Sequence, residues 1–253
     1  MIRLNGQHRM ILQLLDDTYI HVPLELSKPG AVILGSAAGT GIWLVELSKL
    51  IPTTVELIGI DIVDKLFPGR ETLPSNVTFQ ITSILNLPVE WTSKFDLVNK
   101  RLLIAGLRHS EWITAINNMY HALKQGGWIQ LYERNGSSGN LGPIGKKISL
   151  LHQSIMQSQG IVGTSPNTGE VLKRMAEEAR FVEIKVTYYE KPIGKWAGED
   201  GIKSRYNSIQ LFRGLKGLVL ENEGFRVEID EGMTKPESTS VLICARKLID
   251  EYA

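Results

Sequence analysis

The stretch that decides the fold is residues 31–47, which read AVILGSAAGTGIWLVEL. The first four residues form an apolar run typical of a short buried strand, and the last six open a helix. The residues between them are small, and Gly39 and Gly41 allow the backbone to approach a ligand closely at the start of that helix. A strand, a glycine turn and a helix in this order predict a nucleoside-binding edge of a parallel α/β sheet.

Strands and helices alternate on both sides of this stretch. The apolar patterns predict a helix at 7–17, strands at 55–60, 77–81, 95–98 and 128–133, and a helix at 111–123. This alternation is typical of βαβ units with right-handed crossovers, so we expect a parallel sheet.

The C-terminal part has a different pattern. A helix at 168–179 precedes a strand of period 2 at 181–189, and a last strand follows at 239–245 without a clear crossover helix. Late strands without such a crossover predict an antiparallel edge strand. The whole pattern therefore predicts an α/β fold with a seven-stranded, mostly parallel sheet, an antiparallel edge strand and helices on both faces.

The ends of the predicted strands supply candidate cofactor residues, because ligands of open parallel sheets bind at the carboxyl ends of the strands. Asp61 ends the second strand, 22 residues after Gly39, where a carboxylate can accept both ribose hydroxyls. The alternative for Asp61 is a cap on the following segment. A dinucleotide fits less well, because Leu44 stands where a third glycine is needed. The candidate cofactor-binding residues are Gly35, Ala37, Gly39, Gly41, Asp61, Ser83 and Asn99.

Composition narrows the class of protein. The net charge is +1, which predicts no nucleic-acid partner and no attraction to anionic membranes. The single cysteine, Cys244, lies in an apolar run, and neither a signal peptide nor a membrane span is recognisable. We expect a cytoplasmic protein with one domain over residues 1–253, as a monomer or homodimer.

The chain resembles the fungal LaeA-like family of class I S-adenosylmethionine (SAM) methyltransferases. The residues that carry the resemblance are 7–9 with Tyr19 and 23–24, then 39–43, 58–61, 95–98, 123–129, 192–196 and 205–207. The resemblance implies a Rossmann-like class I methyltransferase fold, SAM as cofactor, and O- or N-methylation of a small apolar secondary metabolite.

Three positions depart from the family pattern. Gly35 stands where the first motif has an acid, Ala37 where it has its first glycine, and Ser83 where an aspartate accepts from the adenine amino group. A lost charge-assisted hydrogen bond costs about 1.5–3 kcal/mol, which predicts weakened SAM binding. The alternative is therefore a methyltransferase-fold enzyme repurposed as a non-methylating cyclase or pericyclase. A non-catalytic regulator is a third possibility, although the near-zero net charge argues against direct DNA binding.

Methyl transfer needs alignment of the nucleophile more than a strong catalytic signature. The sequence contains no metal cluster, nucleophile elbow or Cys/His pair, so no metal is expected. The candidate catalytic residues are His8, His109 and Glu133, of which either histidine could instead be a packing residue and Glu133 a salt-bridge partner.

Two segments are predicted to cover the substrate, namely an N-terminal helical lid at 1–28 and an insertion at 190–238. The candidate substrate-binding residues are Tyr19, Tyr132, Arg134, Trp196 and Tyr206. The insertion also carries an apolar stripe of helical spacing, which is either a packed face or a pocket wall. Its members are Trp196, Tyr206, Ile209, Leu211, Phe212 and Leu215.

Overall fold

The computed structural model describes residues 2–27, 29–161, 167–213 and 235–249. Seven strands form one sheet: β1 (Val32–Ser36), β2 (Glu56–Asp61), β3 (Val77–Ile81), β4 (Phe95–Arg101), β5 (Leu123–Gly139), β6 (Phe181–Pro192) and β7 (Glu237–Lys247). Their order across the sheet is β3-β2-β1-β4-β5-β7-β6. The neighbours from β3 to β5 pair in parallel, and β7 is antiparallel to both β5 and β6. The predicted mixed sheet is confirmed.

The edge pair β6–β7 is antiparallel, as predicted for this edge, and β7 itself lies second from the edge, a position that the sequence did not predict. Helix α5 (Thr168–Glu178) lies between β5 and β6 in the chain, and β7 then enters between these two strands. The burial patterns agree with this order, because residues 240–245 of β7 are all buried whereas β6 alternates. A continuous run of buried residues is typical of an inner strand. Alternation of buried and exposed residues is typical of a strand with one face in solvent.

Within the described residues, six α-helices accompany the sheet: α1 (Ile2–Leu14), α2 (Ile42–Leu47), α3 (His109–Ala122), α4 (Pro143–Ser158), α5 (Thr168–Glu178) and α6 (Gly198–Arg213). Alternate residues of β1 point to opposite faces, so Ile33 and Leu34 belong to different core clusters. One cluster contains Trp112 of α3 and Leu172 of α5, and the other contains side chains of α1 and α2. Helices therefore cover both faces of the sheet.

Several element bounds differ from the sequence predictions. The first helix ends at Leu14, not at residue 17, because Asp16 and Asp17 adopt left-handed backbone angles with φ of 50° and 53°. Strand β4 continues to Arg101, so Asn99 lies within it, and α4 was not predicted.

The two predicted lid segments meet in the described structure. Gln13 Nε2 of α1 donates to Asp200 Oδ2 of α6 at 3.0 Å. Leu215 lies outside the described residues, as do the side chains of Leu211 and Phe212. In the described ranges, no helix is both long enough and apolar enough to cross a bilayer.

Candidate functional site

A cavity of about 390 Å³ opens at the carboxyl ends of the central strands. The loop between β1 and α2, the ends of β2 and β4, and the loop after β4 form one side of the cavity. Helix α1 contributes His8, α4 contributes Ser149 and His152, and α6 contributes Asn207. Of the predicted site residues, the lining includes His8, Gly35, Ala37, Gly39, Gly41, Asp61, Asn99 and Arg134.

The glycine loop owes its shape to local sterics. Gly41 has φ of 69°, and a methyl group added there would lie 2.2 Å from the Phe79 ring. Gly39 has φ of 55° with its nearest obstacle, Leu4, 3.5 Å away. Gly41 is therefore required for packing against β3, whereas Gly39 leaves open space beside the cavity. Ala37 also has a left-handed φ, of 53°, which is unusual for alanine.

Packing explains the glycine at the position where the family pattern has an acid. A Cβ at Gly35 would lie 2.9 Å from Cδ1 of Leu44. Leu44 is almost fully buried, so a carboxylate at position 35 would need Leu44 to move.

Asp61 is held against the glycine loop. Its Oδ2 accepts a hydrogen bond from the Gly39 N–H at 2.9 Å, and its Oδ1 accepts from the Ile62 N–H at 2.8 Å. Each carboxylate oxygen has a second acceptor site, so Asp61 can bind ligand hydroxyls without releasing the loop.

Two cavity residues carry buried donors that have no hydrogen-bond partner within the described part of the chain. These donors are Oγ of Ser36 and Nη1 of Arg101. Leaving a buried donor unsatisfied costs free energy, so such groups next to a cavity mark where a ligand can bind. The candidate residues named from the sequence include neither, although Ser36 lies in the predicted loop, and Arg101 was not recognised because the predicted strand ended before it.

His8 belongs to a network that joins α1 to the sheet. Its Nδ1 accepts from Nη2 of Arg101 at 2.9 Å, and since Arg101 can only donate, the ring proton is on Nε2. That Nε2 donates to Oε2 of Glu46 at 2.8 Å, and the Tyr19 hydroxyl donates to the same oxygen at 2.8 Å. Burial and the Arg101 charge lower the pKa of His8 to about 4. His8 is thus neutral near pH 7, and neither ring nitrogen is free to take a substrate proton.

A buried glutamine was missed although it could have been noticed as a polar residue in an apolar strand. Nε2 of Gln130 donates to Oδ1 of Asn99 at 3.0 Å and to the Tyr19 carbonyl at 2.9 Å, and its Oε1 accepts from the His21 N–H at 2.8 Å. Gln130 therefore joins the segment after α1 to β4, and it fixes the amide of Asn99 beside the cavity.

Glu133 lies away from the cavity, in the core. Its two oxygens accept from the N–H groups of Leu103 and Ile104, each at 2.9 Å. Nζ of Lys100 is 3.8 Å from Oε1 of Glu133 and lies 3.2 Å from the centroid of the Trp112 ring. Burial raises the pKa of Glu133 and lowers the pKa of Lys100. Glu133 therefore positions the loop after β4, as its salt-bridge alternative anticipated.

The other predicted residues are not part of the described lining. His109 is exposed at the start of α3, and Oγ of Ser83 accepts from the Leu85 N–H at 3.2 Å. Tyr132 is buried, which raises its pKa to about 12. Nε1 of Trp196 donates to the Ile193 carbonyl at 2.9 Å, and Tyr206 is 59% exposed. Their catalytic, cofactor or substrate roles stay predictions. In the ranges described above, no group of His, Cys, Asp and Glu could hold a metal ion.

The chain is similar in sequence to methyltransferases. Residues 33–127 match the model of a methyltransferase domain. The chain is 31% identical over 177 residues to the N-methyltransferase verN of Clonostachys rogersoniana, and this match covers 70% of the chain and 60% of verN. It is 28% identical over 240 residues to the N-methyltransferase gliN of Aspergillus fumigatus, covering 89% of the chain and 82% of gliN.

Solved structures share the fold at low sequence identity. Phosphoethanolamine N-methyltransferase 2 of Haemonchus contortus superposes with a TM-score of 0.59 at 16% identity, covering 93% of the chain and 52% of that protein. The cyclase SpnF superposes with a TM-score of 0.54 at 14% identity, and the match covers 96% of the chain and 82% of SpnF. The fold is therefore that of the class I methyltransferases, and it also occurs in a cyclase.

Proposed function

Residues 33–127 match a methyltransferase domain on a sheet of the class I methyltransferase order, and from this premise we propose that the chain is a SAM-dependent methyltransferase of a small metabolite. One observation carries the proposal. The Gly39 N–H is hydrogen-bonded to Asp61 Oδ2, and the cavity that these residues line also contains Oγ of Ser36 and Nη1 of Arg101, which have no hydrogen-bond partner among the described residues.

The cavity residues fit the parts of SAM. The Asp61 carboxylate can accept the ribose hydroxyls, and the loop around Gly39 allows close approach of the backbone. The Ser36 hydroxyl and the Arg101 guanidinium are suited to the carboxylate of the methionine moiety. When bound, SAM supplies an activated methyl group, so the chemistry needs no metal from the protein.

The residues of the chain enclose and orient the acceptor. The His8–Arg101 and His8–Glu46 hydrogen bonds hold α1 against the cavity, which limits access of water. Because neither ring nitrogen of His8 is free to accept a proton, an acceptor atom that is nucleophilic without prior deprotonation suits this site best. A neutral amine meets that requirement, and verN and gliN are named as N-methyltransferases. We therefore favour nitrogen over oxygen as the methylated atom.

A cyclase or pericyclase is the second candidate function. Gly35 and Ala37 alter the cofactor loop, and Ser83 is not part of the described lining. SpnF has the same fold, but at 14% identity this likeness extends to the fold alone.

Calorimetric titration with S-adenosylhomocysteine (SAH) tests the proposal through Asp61. We expect the wild type to bind SAH, and Asp61→Asn to weaken binding about 10- to 100-fold, because the ribose hydroxyls lose a charged acceptor. Asp61→Ala should weaken binding further, because the Gly39 N–H also loses its acceptor. The matched control is Glu56→Gln, an exposed carboxylate at the other end of β2.

The outcome separates the two candidate functions. Weaker binding of SAH to both Asp61 variants, with Glu56→Gln unchanged, supports methyl transfer. Absence of SAH binding to the folded wild type at millimolar concentration would contradict it and favour the cyclase alternative.

A further inference from the structure

Arg134 lines the cavity, and no described residue provides a counter-charge to it. It follows the buried part of β5, and it is mostly buried, which lowers the pKa of its guanidinium. Among the described residues, no carboxylate lies within ion-pair distance of Arg134, and no group accepts a hydrogen bond from it. The other cations at this end of the sheet differ, because Arg101 donates to His8 and Lys100 faces Glu133.

Among the described residues, the titratable groups that interact with Arg134 supply no negative charge. Burial and the neighbouring Arg134 lower the pKa of Lys191, on β6, to about 8. The same two causes lower the pKa of His152, on α4, to about 4. Tyr132 is the other titratable neighbour, and it is neutral near pH 7. The described surroundings of Arg134 therefore contain cations and neutral groups but no anion.

The same side of the cavity has an apolar wall. Leu141, just before α4, and Ile193, just after β6, line the cavity and pack in one cluster with Ile148. A ligand that fits here has an apolar body with a negative group at one end. The planar guanidinium of arginine matches the two oxygens of a carboxylate or a phosphate.

A buried guanidinium without an anion reduces the stability of the fold, and such groups are kept where a ligand uses them. We propose that Arg134 binds an anionic oxygen group, a carboxylate or a phosphate ester, on the methyl acceptor. This inference rests on the proposed methyltransferase function. It assigns Arg134 to the acceptor, whereas Ser36 and Arg101 serve the cofactor.

Thermal unfolding with small probes tests the site directly. Benzoate, phenyl phosphate and neutral benzamide are added to the wild type and to Arg134→Met, which keeps an unbranched apolar side chain and removes the charge. We expect at least one anion in tenfold excess over its Kd to raise the wild-type Tm by about 2–4 °C, and benzamide to have no such effect. Whether benzoate or phenyl phosphate acts identifies the oxyanion. The Arg134→Met variant should not respond to either.

The matched control is Arg174→Met, an exposed arginine on α5, which should respond as the wild type does. Without added anions, Arg134→Met should be at least as stable as the wild type. A wild type that neither anion stabilises, or an Arg134→Met variant that unfolds at a clearly lower temperature without anions, would overturn the inference.

SAH titration of the same variants separates this inference from the proposed function. Unchanged SAH affinity in Arg134→Met supports the assignment of Arg134 to the acceptor. A loss of more than tenfold would mean that Arg134 holds the cofactor carboxylate, and would overturn it. If the wild type binds the anions but not SAH, the proposed function fails while the anion site stands.

Discussion

At the residue scale, one alanine in the glycine loop beside the cavity has a strained backbone conformation. Ala37 has a left-handed φ of 53°, whereas its neighbour Ala38 does not have a positive φ. A left-handed conformation costs an L-residue with a Cβ roughly 1–2 kcal/mol. The loop keeps this conformation because the Ala38 N–H is hydrogen-bonded to the Ile60 carbonyl at 2.8 Å and Asp61 holds Gly39.

Replacing Ala37 by glycine should relieve this strain. Glycine adds entropy to the unfolded chain at either alanine, so Ala38→Gly is the matched control. We expect Ala37→Gly to be more stable than Ala38→Gly by about 1 kcal/mol, measured by urea unfolding. Equal stabilities of the two variants would show that Ala37 is not strained. SAH affinity should rise in Ala37→Gly if the methyl group crowds the cofactor.

At the element scale, the loop after β4 is fixed by a carboxylate from the neighbouring strand. Glu133 of β5 accepts from the N–H groups of Leu103 and Ile104, and both residues line the cavity. Lys100 provides the counter-charge from β4 and is fully buried. The pair therefore fixes the position of the loop after β4, which forms one wall of the cavity, relative to β5.

Removing one charge of this pair should lower the free energy of unfolding more than removing both charges. Glu133→Gln loses one backbone acceptor and leaves Lys100 without its counter-charge, which we expect to lower the free energy of unfolding by about 3–5 kcal/mol. The Lys100→Met/Glu133→Gln double variant should recover part of that loss. Chemical denaturation measures the free energy of unfolding of the single and double variants. If the double variant were less stable than the sum of the single effects, the charge pair would not be the cause.

At the scale of the whole molecule, the cavity keeps neutral histidines in buried positions. Burial lowers the pKa values of His8 and His152 to about 4, from ordinary values near 6.5. Between pH 6.5 and 4 the unfolded chain therefore binds more protons than the folded chain. Their contribution to stability is complete above pH 6.5 and is lost as the pH falls towards 4.

We expect the Tm to fall as the pH decreases from 6.5 to 5. The lowered pKa of Glu46 places its titration below this window, so Glu46 contributes little to the slope. The His8→Gln/His152→Gln variant should show a shallower slope when its Tm is normalised to the value at pH 8. The control is His109→Gln, an exposed histidine, which should keep the wild-type slope. An unchanged slope in the double variant would contradict this assignment.

The sequence predicted the elements because their signals are local. The run before Gly35, the turn to Gly41 and the alternation of later strands each reflect the burial of a few neighbouring residues. The proximity of Asp61 to Gly39 was also predictable, because consecutive strands of a βαβ unit end at the same edge of the sheet. The position of β7 between β5 and β6 was not predicted, although its unbroken run of apolar residues is typical of an inner strand.

The tertiary structure alone decided the states of the polar residues. His8 and Arg101 are 93 residues apart in the chain and are hydrogen-bonded in the fold. Burial and the Arg101 charge keep His8 neutral, and the hydrogen bond uses its Nδ1 lone pair. Glu133 ends a predicted strand like a site residue, yet it points into the core, and Arg134 beside it lines the cavity. Periodicity along the chain reports which side chains are buried, whereas pKa values and hydrogen-bond partners depend on groups that meet only when distant segments pack together.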